Sequence, residues 1–201
     1  MPIALTEIPA PVAPPDPPRK RWTRAQCATL EASGLLDQES LELVQGELIS
    51  KMGKKRRHVD SGKRLQEWLV RVFGWRFMDA EAPIDVAPED NPTNEPVPDL
   101  IVLRQDDSHF PSNPRAQDLL LVVEIADSSL NFDLTVKAGL YARAGVSEYW
   151  VLDVTGRRLV VHRDPRSGMY ADVAAYGEHE SVSPVAAPHA QFRVADAFPI
   201  S

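Results

Sequence analysis

Two apolar, β-branched runs constrain this chain more than any other feature: Val97 to Leu103 (V-P-D-L-I-V-L) and Leu119 to Ala126 (L-L-L-V-V-E-I-A). Continuous Val/Ile/Leu runs of this length read as strands covered on both faces, the centre of a layered α/β sheet. Each run carries one carboxylate, Asp99 and Glu124. Burying an ionised carboxylate in such surroundings costs several kcal/mol unless a partner compensates it, so two on neighbouring strands call for a cation.

Consecutive sheet elements are usually adjacent, which lets both side chains converge on one ion. A hard divalent cation, Mg²⁺ or Mn²⁺, prefers oxygen ligands, keeps several waters, and is typically held by one or two carboxylates plus a substrate phosphate. Asp99 and Glu124 match that demand, and the backbone carbonyl of Ile125 is a further candidate ligand. Lys137 lies on the helix-like segment that follows, D-L-T-V-K-A-G-L-Y. Its compact ammonium can orient an attacking water or neutralise charge developing on a phosphate. Plainer readings stand beside these: Asp99 as a turn cap, Lys137 as an exposed helix lysine. The ordered trio favours a metal or catalytic site.

Met1 to Pro18 holds seven prolines, so residues 1–20 are expected to form an extended, mobile tail ahead of a single domain over 21–201. Thr23 is a plausible N-cap for a short helix ended near Gly34. The runs L-E-L-V and E-L-I-S flank Gln45-Gly46 and predict a hairpin, with Glu47 just after its turn. Lys54, Lys55, Arg56 and Arg57 form a compact basic run into His58, either a phosphate-contacting patch or a solvated loop. A helix is expected from His58 to Phe73, ended by Gly74, with Leu65, Leu69, Val72 and Phe73 at helical spacing.

Trp75 to Val86 reads as a strand interrupted at Pro83, followed by a loop from Ala87 to Pro96. Asp133 is a reasonable N-cap for a helix over Leu134 to Ala144, stopped by Gly145. Glu148 to Val154 and Arg157 to Arg163 form a hairpin around Thr155-Gly156. Tyr170 to Tyr176 and Gln191 to Ala195 are candidate edge strands. Tyr141, Tyr149 and Trp150 read as core aromatics.

The net charge of −7 repels a polyanion overall, so any nucleic-acid function must rest on a local patch. Cys27 is the only cysteine, which excludes an intramolecular disulfide and a Cys-built zinc site. Leu119 to Val123, the longest apolar run, is far too short to cross a bilayer, and a soluble, cytoplasmic protein with no membrane partner is expected.

The segments V-P-D-L-I-V-L, L-V-V-E-I-A-D-S-S and D-L-T-V-K-A-G-L-Y-A-R-A-G-V-S-E-Y-W-V-L-D resemble the Uma2 (DUF820) family of the PD-(D/E)XK nuclease superfamily. The resemblance runs from about Thr23 to Phe198 and is densest from Pro98 to Asp153. It implies a restriction-endonuclease-like α/β core: a mixed central sheet flanked by helices, with an N-terminal hairpin and C-terminal edge strands. It also implies that Asp99 and Glu124 bind metal and that a lysine assists hydrolysis. The usual motif lysine would stand at Ala126; in the family resembled it has moved to the following helix, which is Lys137. Glu47 and His58 match positions near the pocket, as an additional acidic ligand and an orienting or phosphate-contacting group. The family's proline-rich loop between them is here K-M-G-K-K-R-R.

The reading is a metal-dependent endonuclease acting on phosphodiesters in DNA, with homodimerisation implied by the resemblance. The alternatives are an inactive nuclease-fold module that binds nucleic acid or mediates assembly, and a hydrolase of another phosphate ester.

Overall fold

Thr23 caps the first helix. Its hydroxyl accepts from the Gln26 N–H while the Gln26 side chain accepts from the Thr23 N–H, a reciprocal capping box at the head of α1 (Arg24–Ala32). In the computed structural model, residues 19–36, 39–51, 53 and 55–199 are described. The Pro-rich stretch Met1 to Pro18 and Lys54 lie outside them. Strands β1 (Leu41–Val44) and β2 (Glu47–Ser50) pair as the expected antiparallel hairpin. Gln45 and Gly46 both take positive φ, 51° and 75°, the turn whose twist matches that of the strands.

Helix α2 (Arg56–Phe73) buries Leu65 and Leu69 and ends at Gly74, which adopts φ 93°. It begins two residues earlier than expected, so Arg56 and Arg57 sit on its first turn. The central sheet is built from β3 (Met78–Ala80), β4 (Leu100–Leu103), β5 (Leu119–Ala126), β6 (Glu148–Asp153), β7 (Arg158–Arg166) and β8 (Met169–Gly177). Its order is β3-β4-β5-β6-β7-β8, antiparallel throughout except for β5 and β6. A parallel pair needs a crossover. One continuous helical stretch makes it: α3 (Leu130–Phe132), a wider π-type segment Asp133–Lys137, and α4 (Ala138–Ala144) stopped by left-handed Gly145.

Side chains of β5 alternate between two cores. Leu121, Val123 and Ile125 pack with Leu65 and Leu69 of α2, while Val122 and Ala126 pack with Ala138 and Tyr141 of α4. That alternation assigns Glu124 to the α4 face. Both faces of the centre are therefore covered, which is why its strands read as unbroken apolar runs.

Four expectations need correction. Asp133 is no N-cap: the helix starts at Leu130, and Asp133 is buried within it. Val97 to Leu103 pairs only from Leu100, because Pro98 has no N–H to offer a ladder and Asp99 lies in a bend before the strand. Trp75 to Val86 contributes only Met78–Ala80, after a 3₁₀ turn over Trp75–Phe77. Gln191 to Ala195 does not edge the main sheet; β10 (Phe192–Arg193) pairs with β9 (Ser181–Val182) in a separate ribbon. Tyr170 to Tyr176 does lie in an edge strand, β8. No helix among the described residues is long and apolar enough to cross a membrane.

Candidate metal and catalytic centre

Asp99, in the bend that leads into β4, and Glu124, on β5, meet at one end of the sheet. The Ile125 N–H donates to Asp99 Oδ2 at 2.7 Å, which ties the aspartate to the strand that carries the glutamate. Glu124 Oε1 accepts from Lys137 Nζ at 2.8 Å and from the Tyr141 hydroxyl at 2.9 Å, so the helix behind β5 holds it in place. A second cation arrives from the end of the hairpin. Lys51 Nζ lies 3.4 Å from Asp99 Oδ1 and 3.9 Å from Glu124 Oε2.

Asp99, Glu124, Lys137 and Lys51 line a cleft of about 150 Å³ together with His58, Lys55, Ile125, Asp127 and Asp133. The sequence-predicted trio is thus brought together, but Lys137 is not an exposed helix lysine. It is 2% exposed and also ion-paired at 2.8 Å with Glu42 Oε2. Burial alone favours a neutral amine, but Glu124, Glu42 and Asp133 outweigh it and hold Lys137 well above the ordinary lysine range. Burial also drives the Glu124 carboxyl upward, against the opposing pull of Lys137 and Lys51.

Glu42 and Lys51 line the cleft without a site role expected from the sequence, and Asp133 is expected only as a cap. Glu47 is the acid expected there, and the structure puts it elsewhere: Glu47 lies beside the hairpin turn, 2.9 Å from Arg21 Nη1, and does not line the cleft. The register pairs Glu42 with Ile49 near the open end of the hairpin, and that end faces the cleft. Spacing alone does not separate the two glutamates; only the docking of the hairpin does. Lys51 carried no signal beyond its neighbourhood to the basic run. Asp133 has one, as the acid four residues before Lys137, although its chemistry also suits a helix cap.

Asp133 and Lys137, four residues apart, bound the π-type segment and are both buried. The Ala138 N–H reaches back five residues to the Asp133 carbonyl, widening the helix where it passes Glu124. Tyr149 donates to the same carbonyl at 3.1 Å, and the Ser129 hydroxyl donates to Asp133 Oδ2 at 2.6 Å. Burial first, and Glu124 second, raise the Asp133 carboxyl to about 7, against the pull of Lys137. An unfolded aspartate titrates near ~4. Between those values the folded chain binds the extra proton, so Asp133 lowers stability as pH rises through that window. Replacing Asp133 with Asn is expected to gain on wild type as pH rises from about 4 to about 7 in urea unfolding at fixed salt. Parallel pH profiles for the two proteins would contradict this.

Of the described part of the basic run, Lys55 lines the cleft and Arg57 pairs with a cleft residue, Asp127. Arg57 donates to Asp127 in a two-point pair, one arm through Nε at 3.0 Å, and Lys55 Nζ is 3.8 Å from the same carboxylate. The Arg57 hydrogen bond holds Asp127 below the usual carboxylate range. Arg56 pairs with Asp60 at 3.0 Å one turn along α2. His58 turns inward, with Nε2 3.7 Å from Asp99 Oδ2.

Among the described residues no cluster of three or more His, Cys, Asp or Glu side chains is arranged to hold a metal. A two-carboxylate site of the kind Mg²⁺ uses does not need one, since waters and a phosphate complete the shell. The donor set fits such an ion: oxygen ligands from two elements, both turned toward a single ammonium that stands in for a cation.

A crystal structure described as a putative nuclease belonging to DUF820 from Anabaena variabilis ATCC 29413 is similar to this chain, with a TM-score of 0.62 at 17% identity, covering 79% of this chain and 89% of that one. At that identity the likeness shows the fold, the restriction-endonuclease-like mixed sheet with flanking helices. No curated protein matches. The family model for Uma2, described as a putative restriction endonuclease, matches residues 28–195, most of the chain, with the hairpin, both carboxylates and Lys137 inside it. The chain therefore belongs to the Uma2 family.

Proposed function

We propose that this chain is a metal-dependent endonuclease that hydrolyses phosphodiester bonds in DNA, acting as a cytoplasmic homodimer whose two centres serve the two strands. The observation that carries the reading is the convergence of Asp99 and Glu124, from separate elements, on one cation position. Family membership supports it independently. Asp99 and Glu124 would hold Mg²⁺ or Mn²⁺, with the Ile125 carbonyl as a further ligand. Bound there, the ion would polarise the scissile phosphate and lower the pKa of the attacking water.

The remaining roles belong to the protein's own groups. Lys137 and Tyr141 fix the Glu124 carboxylate through its inner oxygen, and Lys137 balances the charge of the carboxylates around it. His58 orients Asp99 or meets a phosphate oxygen. Lys55, Arg56 and Arg57, next to Lys54 in the sequence, supply the local positive charge that a chain of net charge −7 needs to receive a nucleic acid.

A second reading is a binding module without turnover. It is favoured by one feature: Lys51 and Lys137 already compensate the two carboxylates without a metal. A supercoiled-plasmid assay separates the two. Nicking that requires Mg²⁺ or Mn²⁺, stops with EDTA and is lost in Glu124→Ala is the expected result. DNA binding that survives EDTA and Glu124→Ala, with no cleavage at any metal concentration, would establish the module instead.

A further inference from the structure

The two lysines at the centre are held very differently. Lys137 is 2% exposed and clamped at 2.8 Å by both Glu42 and Glu124. Its ammonium cannot leave without stripping buried carboxylates of their partner. Lys51 stands at the mouth instead, with its side chain 10% exposed and its ion pairs at the looser distances of 3.4 and 3.9 Å. Its backbone N–H is pinned to the Ser40 carbonyl at 2.7 Å, and its ammonium donates to the Val97 carbonyl. The Ser40 bond fixes the root of the side chain, and the flexible four-carbon stem swings only by giving up the ammonium's hydrogen bond to the Val97 carbonyl.

Each carboxylate divides its oxygens between scaffold and cleft. Asp99 Oδ2 takes the Ile125 N–H and Glu124 Oε1 takes Lys137 and Tyr141. Asp99 Oδ1 and Glu124 Oε2 are the atoms that face Lys51. An ion joining those two oxygens would stand within a few ångströms of the ammonium, where two positive charges in a poorly solvated cleft repel each other.

We propose that Lys51 is a tethered counter-cation of the Asp99–Glu124 pair, occupying the place of the divalent ion and setting how tightly that ion binds. The inference rests on the metal reading of this site. Metal entry then requires the Lys51 ammonium to swing out of the cleft. In the metal-free protein the same ammonium keeps the two carboxylates from repelling each other.

Titration calorimetry with MnCl₂ at about pH 8, where carboxyl protonation competes least, tests this on the full chain. Wild type, Lys51→Met, Lys51→Gln and Glu124→Gln would be compared, with melting followed in EDTA and in Mn²⁺. Both Lys51 variants are expected to bind Mn²⁺ about tenfold tighter or more, by removal of a like charge from the site. They should also melt below wild type in EDTA and recover that deficit in Mn²⁺. The Gln variant keeps a polar tip for the Val97 carbonyl and decides the matter should the Met variant fold poorly. Equal Mn²⁺ affinities in wild type and Lys51 variants, with binding lost in Glu124→Gln, would overturn the role of Lys51 and leave the metal site standing. No Mn²⁺ binding in any of the four would overturn both.

Discussion

Lys137→Met is expected to lower the unfolding free energy by about 3–5 kcal/mol, the cost of leaving buried charge without its partner. The ammonium is buried between Glu124 and Glu42, both themselves buried, and Asp133 adds further negative potential. Methionine fills much the same volume, so packing loss is small and the effect reads out electrostatics. With the ammonium gone, Glu42 and Glu124 must either take up protons or pull in water, and the deficit should shrink as the pH is lowered and protonation removes the charge. Urea unfolding of Lys137→Met and of the double variant Lys137→Met/Glu124→Gln checks the cause. The double variant should regain part of the loss, because one orphaned charge has been neutralised. A Lys137→Met protein with wild-type stability would mean that the carboxylates do not depend on this ammonium.

Asp99→Asn should cut metal-dependent DNA nicking by about a hundredfold to a thousandfold, the loss of roughly 3–4 kcal/mol of transition-state stabilisation that a ligating charge supplies. The substitution is chosen for what it preserves. An Asn side-chain oxygen still accepts the Ile125 N–H that now reaches Asp99 Oδ2 at 2.7 Å, so the bend before β4 keeps its anchor. What changes is the charge facing Lys51 and the cleft. A thermal melt close to wild type, together with lost nicking, is the expected combination. Wild-type nicking by Asp99→Asn would remove the aspartate from the reaction altogether.

Much of the frame could be read from residue order, because the signals were local. Unbroken apolar runs with one acid apiece identified β4 and β5, Gly74 and Gly145 stopped their helices, and Gln45-Gly46 turned the hairpin. Asp99 and Glu124 stood out because carboxylates inside such runs are costly unless partnered. Asp133 and Glu47 depart from expectation for a reason that lies in packing. Asp133 has the chemistry of a cap, and only the earlier start of the helix at Leu130 turned it inward. Glu47 and Glu42 sit on the same hairpin, and only its docking brings Glu42 rather than Glu47 to the cleft.

The sequence by itself determined the sheet's central strands, the two acids and the lysine behind them, since side-chain period and burial cost act between near neighbours along the chain. Only the tertiary structure decided which carboxylate of the hairpin reaches Lys137, that Lys137 is clamped rather than exposed, and that Lys51 stands before Asp99 and Glu124. Those are electrostatic contacts between residues far apart in the chain. Such contacts exist only once the hairpin, the sheet end and the crossover helix have packed around one cleft.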